Sequence, residues 1–162
     1  MIETIKKVAH FEIHLFTGNA EKELASYGIS GDNVIYHGFV PLEDLYGKLK
    51  DYDIMLLPHG FEGDRTDIEF KTIFPTRTIP LLLSNRPILA HSPKDTFLTN
   101  FLIKHKCAVI VDTQSEQAIL EAIDGIINHP ESHKQMILNA LEAAKLFDIN
   151  KVSAQLKKAI EF

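Results

Sequence analysis

Residues 74–89 read FPTRTIPLLLSNRPIL. A proline and a threonine precede a short apolar segment, Arg77 stands in its first turn, and a Ser-Asn pair leads into the apolar run 87–90. This order predicts a loop, a helix over 76–84 and then a buried parallel strand. Because the first N–H groups of a helix are unpaired and carry partial positive charge, an arginine beside them predicts a phosphate site.

The composition predicts one globular domain of ordinary type. The chain has 162 residues, of which 45% are hydrophobic and 24% charged, enough for one substantial core. A net charge of −5 gives no basic surface of the kind that binds nucleic acid. No segment approaches the roughly 20 apolar residues that span a bilayer. The first residues also lack a signal-peptide core, so we expect a cytoplasmic protein.

Apolar runs of strand length alternate with helical segments along the first two thirds of the chain. The predicted strands cover residues 11–16, 34–36, 53–57, 87–90 and 107–111, and the predicted helices cover residues 20–27, 42–50, 76–84 and 94–105. This alternation predicts right-handed βαβ units. We therefore expect a three-layer α/β domain in which about five or six parallel strands are covered by helices on both faces.

After residue 111 the pattern predicts helices alone. An apolar stripe at helical spacing runs through residues 119–127. Pro130 opens the next helix, and Asp148 or Asn150 caps a last helix that continues to Ile160. The sequence contains no internal repeat or linker, so we expect a single domain over residues 1–162.

Four segments occur in a fixed order from about residue 11 onward. They are LFTGN at 15–19, VIYHGFVPLEDL at 34–45, YDIMLLP at 52–58 and the run at 74–89. This ordered set resembles the C-terminal half of a GT-B glycosyltransferase, which binds the nucleotide sugar. The resemblance implies a Rossmann-like parallel sheet with C-terminal helices. It also implies that this chain is one part of a two-domain protein whose N-terminal, acceptor-binding domain is a missing partner.

The resemblance further implies a sugar transferase that moves a glycosyl group from a nucleotide sugar to an acceptor hydroxyl. The donor would be UDP- or GDP-linked, and the residues do not distinguish the base, the sugar or the acceptor. No cofactor and no obligatory metal are expected, and nucleic acid is not an expected partner. The chain alone is expected to be inactive, and any peripheral membrane contact would come through the missing half.

The donor-nucleotide site implied by the resemblance centres on Arg77, with Thr76 and Thr78 on either side. A guanidinium and two hydroxyl groups at a helix start are suited to the oxygens of a diphosphate. The alternative is that Arg77 pairs with a carboxylate of the preceding loop, such as Asp67 or Glu69.

Three further residues are candidates for the same site. The segment 58–71 is long, charged and glycine-containing, as binding loops often are, and Glu62 is its leading acidic candidate. Gly18 follows the first strand, where it either makes the turn or lets a ligand approach closely. Ser92 follows the fourth strand and faces the crevice outside the strand ends, unless it caps the next helix.

Two departures from the family pattern bear on function. When Arg77 is aligned with the basic residue of the family, Pro80 stands where the usual ribose-binding glutamate is expected. The arginine and lysine that grip the donor phosphates in the family also have no counterpart. These departures keep two alternatives open, a sugar-nucleotide epimerase half and a non-catalytic, degenerate donor-domain module. No catalytic residue is assigned, the scattered histidines predict no metal site, and Cys107 is expected to pack as a small hydrophobe.

Overall fold

The computed structural model describes residues 1–8, 10–61 and 66–160. Its strands are β1 (Ile13–Phe16), β2 (Val34–Gly38), β3 (Met55–Pro58), β4 (Ile88–His91) and β5 (Val109–Val111). Every paired neighbour is parallel. The strands form two sheets, one of β1 and β2 and one in the order β3-β4-β5. The predicted parallel α/β architecture is confirmed, with the difference that the sheet is split in two.

The predicted helices occur in the predicted order, α4 is present in addition, and several helices are shorter than predicted. The helices are α1 (Ile2–Lys6), α2 (Glu21–Ser26), α3 (Leu42–Leu49), α4 (Asp67–Thr72), α5 (Thr78–Leu82), α6 (Phe97–His105), α7 (Glu116–Asn128), α8 (Pro130–Ala144) and α9 (Ile149–Ile160). Pro130 begins α8 as predicted. Asp148 caps α9, because its Oδ1 accepts the N–H groups of Asn150 and Lys151, both at 3.1 Å.

The predicted helix over 76–84 is reduced to the five residues of α5. Pro80 lies in the first turn, where its missing N–H costs no intrahelical hydrogen bond. The helix stops before Ser84, whose hydroxyl donates to the carbonyl oxygen of Leu81 at 2.7 Å. Because a hydroxyl that bonds to a nearby carbonyl competes with helix propagation, Ser84 marks the end of the helix.

The segment 58–71 is not the continuous loop that the sequence predicted, because α4 occupies its second part. Thr66 and Glu69 form a capping box, in which Thr66 Oγ1 accepts the Glu69 N–H at 3.3 Å and Glu69 Oε2 accepts the Thr66 N–H at 3.0 Å. The Thr-x-x-Glu spacing is a helix-start signal. The sequence interpretation passed over this signal because it took the whole charged, glycine-containing segment as a loop.

The core has two parts, one on each face of the sheets. One part packs β3 and β4 against α6 and α8; its buried members include Met55, Leu57, Ile88, Ala90, Leu98, Leu102, Cys107, Ala140 and Ala143. The other packs α1 and α7 against the opposite face; its members include Ile5, Ile13, Leu89, Val111, Ile119, Ile123 and Ile126. Residues of β4 alternate between the two parts, as side chains of a strand covered on both faces must.

Helix α9 contributes no buried residue. Its apolar side chains Ile149, Val152, Leu156 and Ile160 recur at helical spacing and are all exposed. Across the described parts of the chain, no helix is long and apolar enough to cross a membrane.

Candidate functional site

A cleft of about 240 Å³ lies where β3 ends. It is lined by His59, Ile73, Pro75, Thr76 and Arg77. Since β3, β4 and β5 are parallel, their carboxyl ends share one edge of their sheet, which is where open α/β sheets bind ligands. The structure thus places two of the predicted site residues, Thr76 and Arg77, together in one cleft at this edge.

Arg77 is held at the cleft by the backbone of β3. Its Nη2 donates to the carbonyl oxygen of Pro58, the last residue of that strand. Arg77 itself is the N-cap of α5. Because α5 has only five residues, its dipole adds little. The positive charge at the cleft is therefore that of the guanidinium, and the predicted contribution of a helix start is small.

The acidic candidates of the preceding segment divide into two groups. Glu62, the leading candidate, lies outside the described residues. Glu69 is engaged in the capping box of α4, where its Oε2 also accepts the Thr66 hydroxyl at 2.9 Å. A carboxylate used to cap a helix is a poor ribose partner, because binding a ligand would break the cap.

His59 is a cleft residue that the sequence interpretation did not select. His59 is buried. Its backbone N–H donates to the carbonyl oxygen of His91 at 2.9 Å, which extends the pairing of β3 with β4. Its Nε2 lies 3.2 Å from the carbonyl oxygen of Phe70. A carbonyl only accepts, so Nε2 carries the proton in this contact. The sequence signal that could have identified His59 is its position as a polar residue directly after a buried strand.

Thr78 is fully buried and does not line the cleft. Its Oγ1 has no hydrogen-bond partner among the described residues. An unsatisfied buried hydroxyl costs about 1–3 kcal/mol, so burial here is imposed by the packing of α5 against the core. The predicted contact of Thr78 with a diphosphate stays a prediction.

Ser92 lies inside a buried hydroxyl network. Thr99 Oγ1 lies 2.8 Å from Ser92 Oγ and 2.7 Å from the carbonyl oxygen of Pro93, and Ser92 Oγ lies 3.2 Å from Thr96 Oγ1. Thr96 is the residue that caps α6, since its Oγ1 accepts the Thr99 N–H at 3.1 Å. Ser92 therefore contacts the capping residue Thr96 and is not itself the N-cap of α6. A ligand role for Ser92 would require this network to open.

Gly18 is exposed in the turn after β1. A Cβ added there would come no closer than 4.0 Å to the Phe39 side chain, so space alone does not demand a glycine. The turn is fixed by its neighbours, because the Thr17 hydroxyl donates to Asn19 Oδ1 at 2.8 Å and the Tyr36 hydroxyl donates to the Asn19 carbonyl at 2.5 Å.

His91 is the last residue of β4, and its side chain bonds to the chain just after β5. Its Nε2 donates to the carbonyl oxygen of Thr113 at 2.8 Å, and its ring lies 4.6 Å, centroid to centroid, from that of Phe61. Burial lowers the pKa of His91, an effect that the Thr113 hydrogen bond opposes in part. The imidazole is consequently neutral at physiological pH and acts as a donor to the backbone.

A second polar cluster lies on β1 and β2, away from the cleft residues. His14 Nδ1 and His37 Nε2 are 2.8 Å apart, and Glu12 Oε2 lies 3.2 Å from His14 Nε2. Burial, His14 and Lys48 lower the pKa of His37. Within the described residues, no group of three His, Cys, Asp or Glu side chains is placed to hold a metal ion.

No protein-family model matches this sequence, and no curated protein matches it. Solved structures do match its fold. Sucrose-phosphate synthase from Thermosynechococcus elongatus superimposes with a TM-score of 0.66 at 15% identity, over 98% of this chain and 41% of that one. WaaG, a glycosyltransferase involved in lipopolysaccharide biosynthesis, superimposes with a TM-score of 0.65 at 11% identity, over 99% of this chain and 42% of that one.

At these identities the likeness shows the fold alone. The predicted fold, a Rossmann-like parallel α/β domain of the kind that forms one half of a GT-B fold, is confirmed. The chain spans 41% and 42% of the lengths of these two structures.

Proposed function

We propose that this chain binds the nucleotide of a UDP- or GDP-linked sugar, as the donor-binding part of an enzyme that transfers the glycosyl group to an acceptor hydroxyl. The observation that carries the proposal is the cleft at the end of β3, which Thr76 and Arg77 line together with His59. A glycosyltransferase-like fold adds support, since the cleft lies at the edge where sheets of this type bind ligands.

The size of the cleft favours the diphosphate as the part of the donor that it holds. Its volume of about 240 Å³ lies below the roughly 300–1,000 Å³ of pockets that enclose whole ligands. The base and the sugar would extend beyond it.

Glycosyl transfer requires positive charge beside the diphosphate of the donor. Transfer breaks the bond between the sugar and the terminal phosphate, the acceptor oxygen bonds to the sugar, and the leaving phosphate gains negative charge. The Arg77 guanidinium is a preorganised cation beside the place where that charge develops, because the Pro58 carbonyl fixes its position. The group that takes the acceptor proton is expected on the acceptor-binding part.

The exposed apolar side of α9 supports the inference that a second part of the enzyme covers it. Four large apolar side chains on one helix, each 46% exposed or more, form the kind of surface that partners cover. We therefore expect this chain to bind a donor nucleotide without turning it over.

The test is a calorimetric titration with UDP and with GDP in buffer that contains a metal chelator. We expect saturable binding of one of the two, weakened by Arg77→Ala at least about tenfold, since hydrogen bonds to a charged group contribute about 1.5–3 kcal/mol. Arg77→Lys is expected to retain part of the affinity, because it keeps the charge and loses the planar fork.

Arg86→Ala is the matched control. Arg86 is also an exposed arginine whose guanidinium donates to a backbone carbonyl, that of Lys50 at 3.1 Å from Nε, but it precedes β4 at the opposite edge of the sheet. The control should bind as the wild type does. Equal affinities for the two alanine variants, or no binding of either nucleotide by the folded chain, would refute the proposal.

A non-catalytic donor-domain-like module is the second candidate. Two observations favour it: Pro80 occupies the position of the expected ribose-binding glutamate, and Glu69 is engaged in capping α4. Absence of nucleotide binding would support this candidate. No described residue favours the epimerase alternative.

A further inference from the structure

A pair of histidines connects the two strands of the smaller sheet. His14 on β1 and His37 on β2 approach through His14 Nδ1 and His37 Nε2, which are 2.8 Å apart. The two rings are within 18° of coplanar, and their centres are 5.1 Å apart. That separation matches the N···N distance with one ring radius added at each end, so the rings lie end to end with these two nitrogens between them. Sequence reasoning did not pair the two residues, because they are 23 positions apart.

Glu12 fixes which nitrogen of His14 carries the hydrogen. The Oε2 atom of Glu12 lies 3.2 Å from His14 Nε2. Because an ionised carboxylate only accepts hydrogen bonds, Nε2 carries the hydrogen, and the lone pair of the neutral His14 ring is on Nδ1, facing His37. A carboxylate behind the ring is the usual support of a metal-binding histidine, because it orients the ring and makes the ligand nitrogen more basic.

Aromatic rings pack against both imidazoles. The Phe16 ring is stacked on that of His37, 7° from parallel with the centres 4.6 Å apart, and the Tyr52 ring lies 4.7 Å from that of His14. His14 is half-buried, with 21% of its side chain exposed, whereas His37 is exposed. The pair is therefore held by its neighbours and is accessible to a small ion from the side of His37.

We propose that His14 Nδ1 and His37 Nε2 together bind one divalent transition-metal ion of the zinc and copper class, with Glu12 as the carboxylate that supports His14. Imidazole is a preferred ligand of these ions, whereas Mg²⁺ and Ca²⁺ prefer oxygen ligands. Metal–nitrogen distances of about 2.0–2.1 Å place two adjacent ligand nitrogens roughly 3 Å apart. The 2.8 Å between His14 and His37 is close to that separation, and water completes the coordination.

Binding requires a change of tautomer at His37. The hydrogen on His37 Nε2 moves to His37 Nδ1 through solvent, so that each neutral ring offers one lone pair and no net proton is released. The two rings, now end to end, also turn so that both lone pairs point at the ion. Glu12 attracts a cation at this position, and Lys48, which acts electrostatically on His37, opposes it.

The bound ion joins β1 to β2. These strands form a two-stranded sheet, and Ile13 is the fully buried residue of β1. Two-stranded pairs depend on added contacts for their stability, and an ion that binds only the folded chain stabilises it by mass action. The proposal rests on the geometry of these two strands and does not require nucleotide binding at the cleft.

The first experiment is a calorimetric titration of the untagged chain with Zn²⁺, with Mg²⁺ as the comparison ion. We expect one Zn²⁺ per chain and no saturable binding of Mg²⁺. Loss of a supporting carboxylate weakens metal binding about 10–100-fold, so Glu12→Ala should weaken Zn²⁺ binding by about tenfold or more. His14→Gln and His37→Gln each remove a ligand and should weaken it further. Because His37 is exposed, His37→Gln is expected to leave the fold intact.

The His129→Gln, His133→Gln double variant is the matched control. These two histidines also lie near each other, since both line a cavity of about 460 Å³ between α7 and α8. The control should bind Zn²⁺ as the wild type does. The proposal would be overturned if the wild type bound no Zn²⁺. It would also be overturned if the affinity fell in the control and stayed unchanged in His14→Gln and His37→Gln.

Nitrogen NMR of the imidazole rings tests which atoms bind the ion. Without metal, we expect the hydrogen on Nε2 in both His14 and His37. Saturating Zn²⁺ should coordinate His14 Nδ1 and His37 Nε2 and move the His37 hydrogen to Nδ1. Coordination through His14 Nε2, or unchanged spectra of the two rings at saturating Zn²⁺, would contradict the proposed site.

Discussion

Strands β1 and β4 have the same length and similar apolar content, but they differ in burial and in strand pairing. Every residue of β4 is buried, and the strand is paired on both edges. In β1, Ile13 alone is fully buried, and the strand is paired only with β2. The difference arises because β4 has helices on both faces and strands on both edges. We therefore expect β4 to open only with global unfolding and β1 to open locally at lower free energy.

The largest expected effect comes from truncating one leucine in each strand. Leu89→Ala removes a side chain with no exposed surface and should lower the free energy of unfolding by about 3–5 kcal/mol. Leu15→Ala, at a half-buried position of the same core, should cost about 1–2 kcal/mol, since a partly covered site loses less on truncation. Urea unfolding followed by circular dichroism measures both. Equal losses would show that β1 is as well packed as β4.

A hydroxyl deletion sharpens the comparison at the strand ends. Thr99→Val breaks the buried network beneath the end of β4, where Thr99 Oγ1 contacts Ser92 and Pro93. We expect a loss of about 1–3 kcal/mol, because the remaining buried polar atoms lose their partner. The matched change after β1 is Thr17→Val, which removes a hydroxyl that donates to the Asn19 side chain and accepts the Asn19 N–H at an exposed turn. That change should stay within about 0.5 kcal/mol, and a larger cost would contradict the comparison.

The smallest effect is a pH dependence at the end of β4. Burial lowers the pKa of His91 below its ordinary value, so the folded state favours the neutral ring. As pH falls below about 6.5, the unfolded chain takes up a proton that the folded chain resists, and stability falls. We expect the free energy of unfolding to drop between about pH 7.5 and pH 5.5. The drop should be smaller in His91→Gln.

His37 provides a second test of this pH dependence. Burial, His14 and Lys48 lower the pKa of His37 on β2, so His37→Gln should remove a further part of the same pH dependence. If His91→Gln keeps the wild-type pH profile, burial of His91 does not contribute to the fall in the free energy of unfolding.

Much of the fold was predictable because its signals are local. Apolar runs bounded by turn residues located all the strands of the described chain to within about two residues. Pro130 and Asp148 marked helix starts through their own backbone and side-chain chemistry. Helix α4 was missed even though the Thr66 to Glu69 spacing carries a start signal, because a charged, glycine-containing segment after a strand was interpreted as a loop.

The candidate site was predictable only in part. Thr76 and Arg77 were selected from their place at the start of a predicted helix, and the structure brings them into one cleft. His59 was missed because its role depends on Phe70 and His91, residues distant from it in the sequence. The burial of Thr78 likewise follows from how α5 packs on the core, which no local sequence pattern predicts.

The sequence by itself determined the parallel α/β class, the order of the strands and of most helices, and the helix start at Pro130, because period and turn chemistry act over a few neighbouring residues. Tertiary structure alone decided that the strands form two sheets, that Arg77 is held by the Pro58 carbonyl, and that Ser92 lies inside a hydroxyl network. These features depend on contacts between residues far apart in the chain, and their free energy arises only when the packed elements exclude water from the groups between them.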